Sequence, residues 1–391
     1  MADQERVDHE LPVDILQSVL RTGIGDRTAT ITGISAALLP NQGNSGNQLF
    51  RADVTWTGQM GPAAASWVVK HWRPGGFTSA FMDIRVPLEA LAWEHGLLQS
   101  AMVPDGLAIP FVGATIDEAG DAAWIVMEDV GDDLDALSES DAADDRTELA
   151  RIVLDRMARW HAAWERPDCQ ATLAACPWLT TQETRLRCGA DTYASCLEDA
   201  PQPVRPIPPL MTEVLCPPTR DFLAGLPKAH RRTWRTLLHQ RNALIEACAD
   251  LPQTLIHGDL WLGNAGIGRR AGDREVVLID WEWIGRGSAA FDVRLLIASI
   301  AGHGHMSDAA RTLADHYFHR YRTHGGSRMD RSMWERAFDL AGIFEAVRVF
   351  PFFAGGALNE DSRFYGWADA ATISARIDEA TEAMGRWLGR V

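Results

Sequence analysis

Lysine is almost missing from this chain of 391 residues, although lysine and arginine together number 37. The two lysines are Lys70 and Lys228, so arginine supplies nearly all of the positive charge. In a chain that otherwise uses arginine, each remaining lysine is expected to have a specific role. Lys70 directly follows the apolar stretch Trp67-Val68-Val69. This context favours a functional lysine over one that is merely exposed at the end of a strand.

The chain also has no excess of positive charge. The 53 aspartates and glutamates outnumber the basic residues and give a formal net charge of −16. Nucleic-acid binding needs a basic face, so this balance argues against a nucleic-acid partner. The acidity is compatible with a cationic substrate, and equally with a role in solubility alone.

Long apolar runs and paired cysteines are also lacking. No uninterrupted apolar run is long enough to span a bilayer, and residues 1–6 are polar and acidic, unlike a signal peptide. The six cysteines include no CxxC pair and no histidine at the spacing typical of a zinc site, which favours reduced thiols. We therefore expect a cytoplasmic protein without a membrane partner.

The first part of the chain has the pattern of a small α+β lobe. Helical spacing of apolar residues, or alternation and β-branched content, predicts its elements. They are helices over 11–23 and 87–98 and strands over 29–34, 48–56, 65–70, 108–112 and 123–127. Together they predict an antiparallel sheet with one inserted helix.

From Asp144 onward the pattern is helical. Residues 166–228 are rich in proline and cysteine and are interpreted as short helices in a variable insertion, and residues 229–249 are predicted to form one helix. The predicted fold class is α+β, with a strand-rich lobe over residues 1–130 and a larger helical lobe over residues 131–391. This is the bilobal layout of kinase-like folds.

Two short apolar runs lead into polar residues that suit phosphoryl transfer. Residues 254–256 precede Asp259, with Asn264 five positions later, and the β-branched run 276–279 ends on Asp280. In phosphoryl transfer one carboxylate orients the attacking hydroxyl, while an amide oxygen and another carboxylate hold Mg²⁺ on the nucleotide phosphates. The pattern therefore favours a kinase.

These motifs resemble those of the aminoglycoside phosphotransferase and choline-kinase-like family, which has the bilobal fold of eukaryotic protein kinases. The resemblance rests on His257-Gly258-Asp259-Leu260 with Asn264 and on Ile279-Asp280-Trp281-Glu282. It is extended, in the family's order, by residues 67–70, 124–131 and 157–164. It implies that Asp259 is the catalytic base or orienter of the acceptor hydroxyl, and that Asn264 and Asp280 bind Mg²⁺.

The resemblance also implies a nucleotide site in the first lobe. Lys70 would contact the α- and β-phosphates and be held by Glu89, with Glu94 as the second choice. Ser45 and Asn47, in a Gly- and Asn-containing loop, would donate hydrogen bonds to the phosphates. Backbone groups of a hinge would meet the purine; the hinge residues are Met127, Glu128 and Val130. The donor is expected to be ATP, with GTP left open.

Three further residues lie close to these motifs in the sequence. Glu282 is compatible with a second metal site, with a salt bridge inside the lobe, or with a cationic substrate. His257 is expected to fix the loop by hydrogen bonding, and Asp292 to anchor the same loop. These two residues are therefore interpreted as structural.

The expected acceptor is a hydroxyl group of a small molecule. An aminoglycoside-like antibiotic, an amino alcohol and a simple or amino sugar are the candidates, and no activation segment with an Ala-Pro-Glu anchor points to a protein substrate. The alternative is a nucleotide-binding regulatory module of the same fold that has lost catalysis. A metal-dependent hydrolase is disfavoured, because it would leave Lys70 and the hinge without a role.

Overall fold

The computed structural model describes most of the chain. The described residues are 11–39, 47–75, 84–99, 102–120, 122–131, 134–136, 143–197, 209–268, 275–301, 308–356 and 370–389. Within these ranges, no helix combines the length and the hydrophobicity that crossing a lipid bilayer requires.

The described elements are numbered in chain order. The helices are α1 (Val13–Gly23), α2 (Leu88–Glu94), α3 (Ala143–Trp164), α4 (Pro167–Ala174), α5 (Gln182–Ser195), α6 (Pro209–Gly225), α7 (Lys228–His239), α8 (Arg241–Ala249), α9 (Ala290–Ala301), α10 (Asp308–Thr323), α11 (Arg331–Gly356) and α12 (Ala370–Leu388). The strands are β1 (Thr30–Leu38), β2 (Gln48–Gly58), β3 (Gly61–Trp72), β4 (Leu107–Ala108), β5 (Phe111–Ile116), β6 (Ala123–Glu128), β7 (Leu134–Ala136), β8 (Thr180–Thr181), β9 (Thr254–Ile256), β10 (Ala265–Gly268), β11 (Glu275–Leu278) and β12 (Gly285–Gly287).

The chain divides into two compact units. The first contains Met1–Asp135 and Gly266–Glu282, and the second contains Ala136–Ala265 and Trp283–Val391. The segment Gly266–Glu282 comes directly after the loop that carries Asp259 and Asn264, yet it folds with the first unit. The reason is strand pairing, because β11 lies parallel to β4 and beside β10 in a sheet of order β4-β11-β10-β7.

The first unit is built on an antiparallel sheet of order β1-β2-β3-β6-β5. Strict alternation in β2 buries Phe50, Ala52 and Val54 on one face, and α1 covers this face with Leu16 and Leu20. Successive side chains of a strand point to opposite faces of the sheet. The side chains of this sheet that do not enter the core therefore lie on its other face.

Two predicted elements of the first unit differ in their bounds. The strand expected over residues 108–112 is two short strands, β4 and β5, separated by Pro110, whose ring lacks the N–H that a continuous ladder would use. The helix expected over residues 87–98 ends at Glu94, because Gly96 adopts a φ of +74° and turns the chain.

The second unit is helical around a small sheet of order β8-β12-β9. The Trp160 indole of α3 is fully buried and donates to the backbone oxygen of Leu255 in β9 at 3.0 Å. In addition, the Thr254 hydroxyl donates to the backbone oxygen of His161 at 2.9 Å. These bonds attach β9, and with it the start of the Asp259 loop, to α3.

The helix predicted over residues 229–249 is two helices, α7 and α8, which meet at Gln240. Gln240 leaves the helical conformation with φ −97° and ψ 16°. The change of direction buries Arg241, whose Nε donates to Asp191 in α5 at 2.8 Å. No glycine or proline marks this break, so the sequence pattern could not locate it.

Candidate active site

Lys70 lies near the end of β3, in the middle of the first unit's sheet. Trp67 and Val69 of the same strand belong to the core beneath α1, so alternation directs Lys70 to the opposite face. The Lys70 side chain is nevertheless only about 5% exposed. A buried ammonium group requires partners of opposite charge.

Three carboxylates supply those partners. The Lys70 Nζ lies 2.7 Å from Asp280 Oδ1, 2.9 Å from Glu89 Oε2 and 3.2 Å from Glu282 Oε2. Burial alone would lower the pKa of Lys70, but Asp280, Glu89 and Glu282 outweigh it and raise that pKa well above its ordinary value. Lys70 is therefore a fixed positive charge at the centre of an acidic cluster.

Glu89 connects Lys70 to the segment that carries Asp280. Its Oε2 accepts from Lys70, and its Oε1 accepts from the backbone N–H of Trp281 at 3.0 Å. Asp280 has a φ of +60°, which is unusual for a residue other than glycine. The bond to Trp281 holds the peptide that follows Asp280. Glu89 thus stabilises both the lysine and the uncommon backbone conformation of the aspartate.

Glu282 links the cluster to Asn47, the residue directly before β2. Its Oε2 accepts a hydrogen bond from the Asn47 amide at 2.9 Å as well as contacting Lys70. Its other oxygen, Oε1, is buried and accepts no hydrogen bond from the described residues. Burial raises the pKa of Glu282 to about 7, since Lys70 offsets only part of the cost of burying the charge and Asp280 and Glu89 add to it.

In the second unit, the loop after β9 places Asp259 beside Asn264. The Asn264 amide donates to the backbone oxygen of Asp259 at 2.9 Å and to its Oδ2 at 3.2 Å. Asn264 is buried, while Asp259 is half-buried. Because the Asn264 nitrogen is engaged by Asp259, its amide oxygen is the atom left to bind a cation.

Asp292, at the start of α9, accepts hydrogen bonds from the backbone of this loop. Its carboxylate accepts from the backbone N–H groups of His257 at 2.7 Å and of Gly258 at 2.8 Å, and it lies 3.2 Å from His161 Nε2. The pKa of Asp292 is lowered even though burial alone would raise it, because these hydrogen bonds and the nearby His161 and His257 stabilise the carboxylate. Asp292 is an internal anchor for the loop.

Gly258 is needed for the path of the same loop. It has a φ of +82°, and a Cβ at this position would lie 2.0 Å from the backbone oxygen of Trp283 and 2.2 Å from Arg185 Nη1. Arg185, from α5, is itself buried and donates to the backbone oxygens of Trp283 and Ile284. The segment over residues 166–228 therefore contributes a structural arginine to the surroundings of the loop that contains Asp259.

The residues of the predicted hinge lie at the end of β6. Met127 and Glu128 are its last two residues, and Val130 follows. The Glu128 N–H donates to the backbone oxygen of Pro110 at 2.7 Å, which ties this stretch to the sheet. Their contact with a purine stays a prediction. Ser45 lies outside the described residues.

Two buried charged residues of this region have roles that the sequence does not reveal. Glu282 was compatible with three roles, and only the fold reveals its contacts with Asn47 and Lys70, which lie more than 200 positions away. No local sequence pattern marks Arg185, because it is an arginine in a variable segment. Both are buried charges whose partners are distant in sequence.

Comparisons with known proteins give structural matches but no sequence matches. No family model matches the sequence, and no curated protein matches it in sequence. An ethanolamine kinase from Plasmodium vivax has 11% identity and a TM-score of 0.50, with 92% of this chain and 83% of the kinase covered. The choline kinase LicA from Streptococcus pneumoniae has 11% identity and a TM-score of 0.49, with 95% and 98% covered. An aminoglycoside-3'-phosphotransferase of type VIII has 18% identity and a TM-score of 0.45, with 85% and 98% covered.

At this level of identity, structural similarity establishes the fold and not the activity. The predicted fold class, α+β with a sheet-based and a helical part, is confirmed by the element order and by the match to the ethanolamine kinase. The chain therefore has the protein-kinase-like fold that is found in small-molecule kinases.

Proposed function

We propose that the protein is a kinase that transfers the γ-phosphate of ATP to a hydroxyl group of a small molecule. The observation that carries this proposal is the cluster of Lys70, Glu89 and Asp280. A buried lysine that is held by a helix carboxylate and lies beside a strand-end aspartate is the arrangement that nucleotide phosphates require in kinase-like folds. The fold itself supports the same activity.

The nucleotide is assigned to the first unit. Lys70 binds the α- and β-phosphates, and Glu89 keeps its ammonium group in place. Asn47 and Ser45 contribute hydrogen bonds to the phosphates. The hydrogen bond that Asn47 donates to Glu282, which also contacts Lys70, supports this role for Asn47. Met127, Glu128 and Val130 are assigned to the purine, with ATP or GTP as the donor.

Magnesium is assigned to Asn264 and Asp280. The chemistry of the available donors fits this ion, because Asp280 presents a carboxylate that is 45% exposed and the amide oxygen of Asn264 accepts no hydrogen bond from the described residues. The buried Oε1 of Glu282, which has no partner in the described part of the chain, is a further hard donor. When bound, the cation neutralises charge on the transferred phosphoryl group.

Asp259 is assigned to the acceptor. Its half-buried carboxylate orients the attacking hydroxyl and receives the proton. Asn264 fixes the Asp259 carboxylate by its bond to Oδ2, and Asp292 fixes the backbone of the same loop. These hydrogen bonds support a carboxylate that is preorganised within its own loop.

An amine-bearing alcohol is the proposed acceptor class. The candidates are an amino alcohol, an aminoglycoside-like antibiotic and an amino sugar. The net charge of −16 favours a cationic molecule over a neutral sugar, and the ethanolamine kinase with this fold acts on an amino alcohol. We further propose that the protein works in the cytoplasm.

The proposal is tested by measuring ADP release with a panel of acceptors. The panel contains amino alcohols, aminoglycosides, amino sugars and neutral sugars, each with Mg-ATP and with Mg-GTP. Acceptor-dependent ADP release that is lost in Asp259→Ala supports the kinase. Nucleotide binding without turnover across the panel supports the inactive regulatory module, and ester cleavage without nucleotide supports a hydrolase.

A further inference from the structure

Two cysteines of the second unit meet where the end of α5 lies beside α6. Cys196 directly follows the last residue of α5, and Cys216 lies within α6. Their Sγ atoms are 2.7 Å apart. This distance is shorter than the roughly 3.5–4.0 Å that non-bonded heavy atoms prefer, and it exceeds a covalent sulfur–sulfur bond of about 2.05 Å by less than an ångström. The two thiols are therefore in contact and need only a small shift to bond.

A backbone contact holds Cys196 against α6 independently of the sulfur atoms. The Nε of Arg220, four residues after Cys216 in α6, donates to the backbone oxygen of Cys196 at 2.9 Å. Residues four apart lie on the same side of a helix, so Arg220 and Cys216 both face the end of α5. The Cys196 thiol also donates to the backbone oxygen of Thr192 at 3.3 Å. The approach of the two cysteines is thus fixed by the main chain as well as by their side chains.

The two thiols are buried, but they lie directly beneath the surface. Cys196 is 1% exposed and Cys216 is 3% exposed, whereas Pro217 and Arg220 of α6 are exposed. Burial and the adjacent Cys216 thiol raise the pKa of Cys196 to about 12, so at neutral pH this group is a thiol and only rarely the reactive thiolate. Both cysteines are accordingly free, and they stay so until an oxidant reaches them.

We propose that Cys196 and Cys216 form a redox modification site, at which hydrogen peroxide converts the two thiols into a disulfide that stabilises this part of the second unit. One sulfur attacks a peroxide oxygen, the O–O bond breaks, and a sulfenic acid and one water are formed. The second sulfur then attacks the sulfenic sulfur, the S–O bond breaks, and the leaving hydroxide takes the remaining thiol proton as a second water. The two thiols lose two electrons, and one peroxide is reduced to two waters.

The new bond closes a loop over residues 196–216 and joins α5 to α6. A disulfide stabilises a folded protein mainly by restricting the unfolded chain. In addition, α5 carries Arg185, which donates to the backbone oxygen of Ile284, and Asp191, which accepts from Arg241. Oxidation should therefore strengthen the attachment of a helix that already holds two other segments of this unit. This site is separate from the phosphoryl-transfer residues, and the proposal does not depend on the proposed function.

The test is oxidation of the folded, full-length chain with hydrogen peroxide, followed by unfolding in an alkylating reagent and mass spectrometry. A protease that cuts after glutamate separates the two cysteines, because Glu198 and Glu213 lie between them. A second sample receives dithiothreitol before alkylation, since this reagent reduces a disulfide but not a sulfinic acid. Urea unfolding is measured before and after oxidation.

The variant Cys196→Ala is compared with Cys248→Ala, which removes a thiol from α8 that is also 1% exposed. The variant Cys216→Ala repeats the test from the other side of the pair, so the result does not depend on the folding of one variant. Each of these variants keeps five of the six cysteines.

The parent should lose two of its six free thiols, contain a link between Cys196 and Cys216, and unfold at a higher urea concentration after oxidation. Dithiothreitol should restore both thiols. Cys248→Ala should form the same link, whereas Cys196→Ala and Cys216→Ala should keep all five thiols. Retention of six thiols by the parent, a link to another cysteine or a sulfinic acid in place of the link overturns the proposal. So does a link that leaves the urea midpoint unchanged.

Discussion

Glu89 and Glu282 are both buried beside Lys70, but their partners give them different properties. Both oxygens of Glu89 are used, one by Lys70 and one by the Trp281 N–H. Glu282 shares one oxygen between Asn47 and Lys70, and its other oxygen has no partner in the described part of the chain. A buried carboxylate with a spare oxygen is costly to the free protein. Glu282 is therefore the member of the cluster that gains most from a ligand.

Removing the Glu282 carboxylate should leave the Asn47 amide without the hydrogen bond that it donates to Glu282. We expect Glu282→Ala to weaken nucleotide binding by about ten-fold, the effect of one lost hydrogen bond to a charged group, while Glu282→Gln keeps an acceptor for Asn47 and binds more nearly like the parent. Isothermal titration with a non-hydrolysable nucleotide measures both. An unchanged affinity in Glu282→Ala would show that Asn47 does not act through Glu282.

Alanine replacements of Asp259 and Asp280 should impair different steps of the proposed reaction. Asp259→Ala should lower kcat by roughly 10²–10⁴-fold, the contribution typical of a positioned base, with Mg-nucleotide affinity nearly intact. Asp280→Ala should weaken Mg-nucleotide binding itself by at least about ten-fold. Steady-state kinetics and titration separate the two effects, and Asp168→Ala, at a site 73% exposed, serves as the control. Near-normal turnover by Asp259→Ala would contradict the assignment.

At the scale of the element, the loop after β9 depends on glycine for two separate reasons. Gly258 has both a positive φ and no room for a Cβ, since the backbone oxygen of Trp283 and the Arg185 guanidinium occupy the space. Gly325 has a φ of +93° but nothing within 4 Å of an added Cβ. A comparison of substitutions at Gly258 and Gly325 therefore separates the cost of backbone strain from the cost of steric overlap.

Alanine at these two positions should therefore have unequal effects. Gly325→Ala should lower the free energy of unfolding by about 1 kcal/mol, from backbone strain alone. Gly258→Ala should lower it by about 3 kcal/mol or more, because overpacking adds to the strain, and should also reduce activity. Urea unfolding measures both changes. Equal losses in the two variants would mean that the chain around Gly258 moves aside at little cost.

Elements with a strong local pattern were predictable from the sequence. The alternation in β2 and the apolar run before Asp280 gave the correct strands, because one buried face imposes a period of two. The division of residues 229–249 at Gln240 was not predictable, since burial of Arg241 against Asp191 decides it and no local residue marks it. The contacts of Glu282 and Arg185 were hidden for the same reason, because tertiary packing brings them together.

At the scale of the whole molecule, the response to acid should depend on Asp292. Its pKa in the folded protein is lowered from the ordinary 3.8, so the folded state binds its proton less readily than the unfolded state does. The stabilisation is thus fully present above that ordinary value and is lost as the pH falls through the lower pKa of the folded state. A folded protein that relies on this carboxylate becomes less stable on acidification.

Replacement by asparagine should remove that part of the acid sensitivity. We expect Asp292→Asn to be less stable at neutral pH, because the charge beside His161 is gone, and to lose less stability than the parent as the pH is lowered below 4. Free energies of unfolding from urea titrations across the acid range provide the comparison. Parallel curves for the two proteins would show that other carboxylates govern acid unfolding.

The division of the first unit between Met1–Asp135 and Gly266–Glu282 has a consequence for synthesis on the ribosome. Asp280, one of the carboxylates that neutralise the buried Lys70, and strand β11, which pairs with β4, are made only after the whole of Ala136–Ala265 has been translated. The amino-terminal sheet can form early, but its lysine then lies without two of its three acids. Until residues 266–282 have been made, this region lacks β11 and the carboxylates of Asp280 and Glu282, and a genetic fragment that stops at Asp135 encodes an incomplete unit. Dissection of the protein therefore requires a fusion that carries residues 266–282 back to the amino-terminal part.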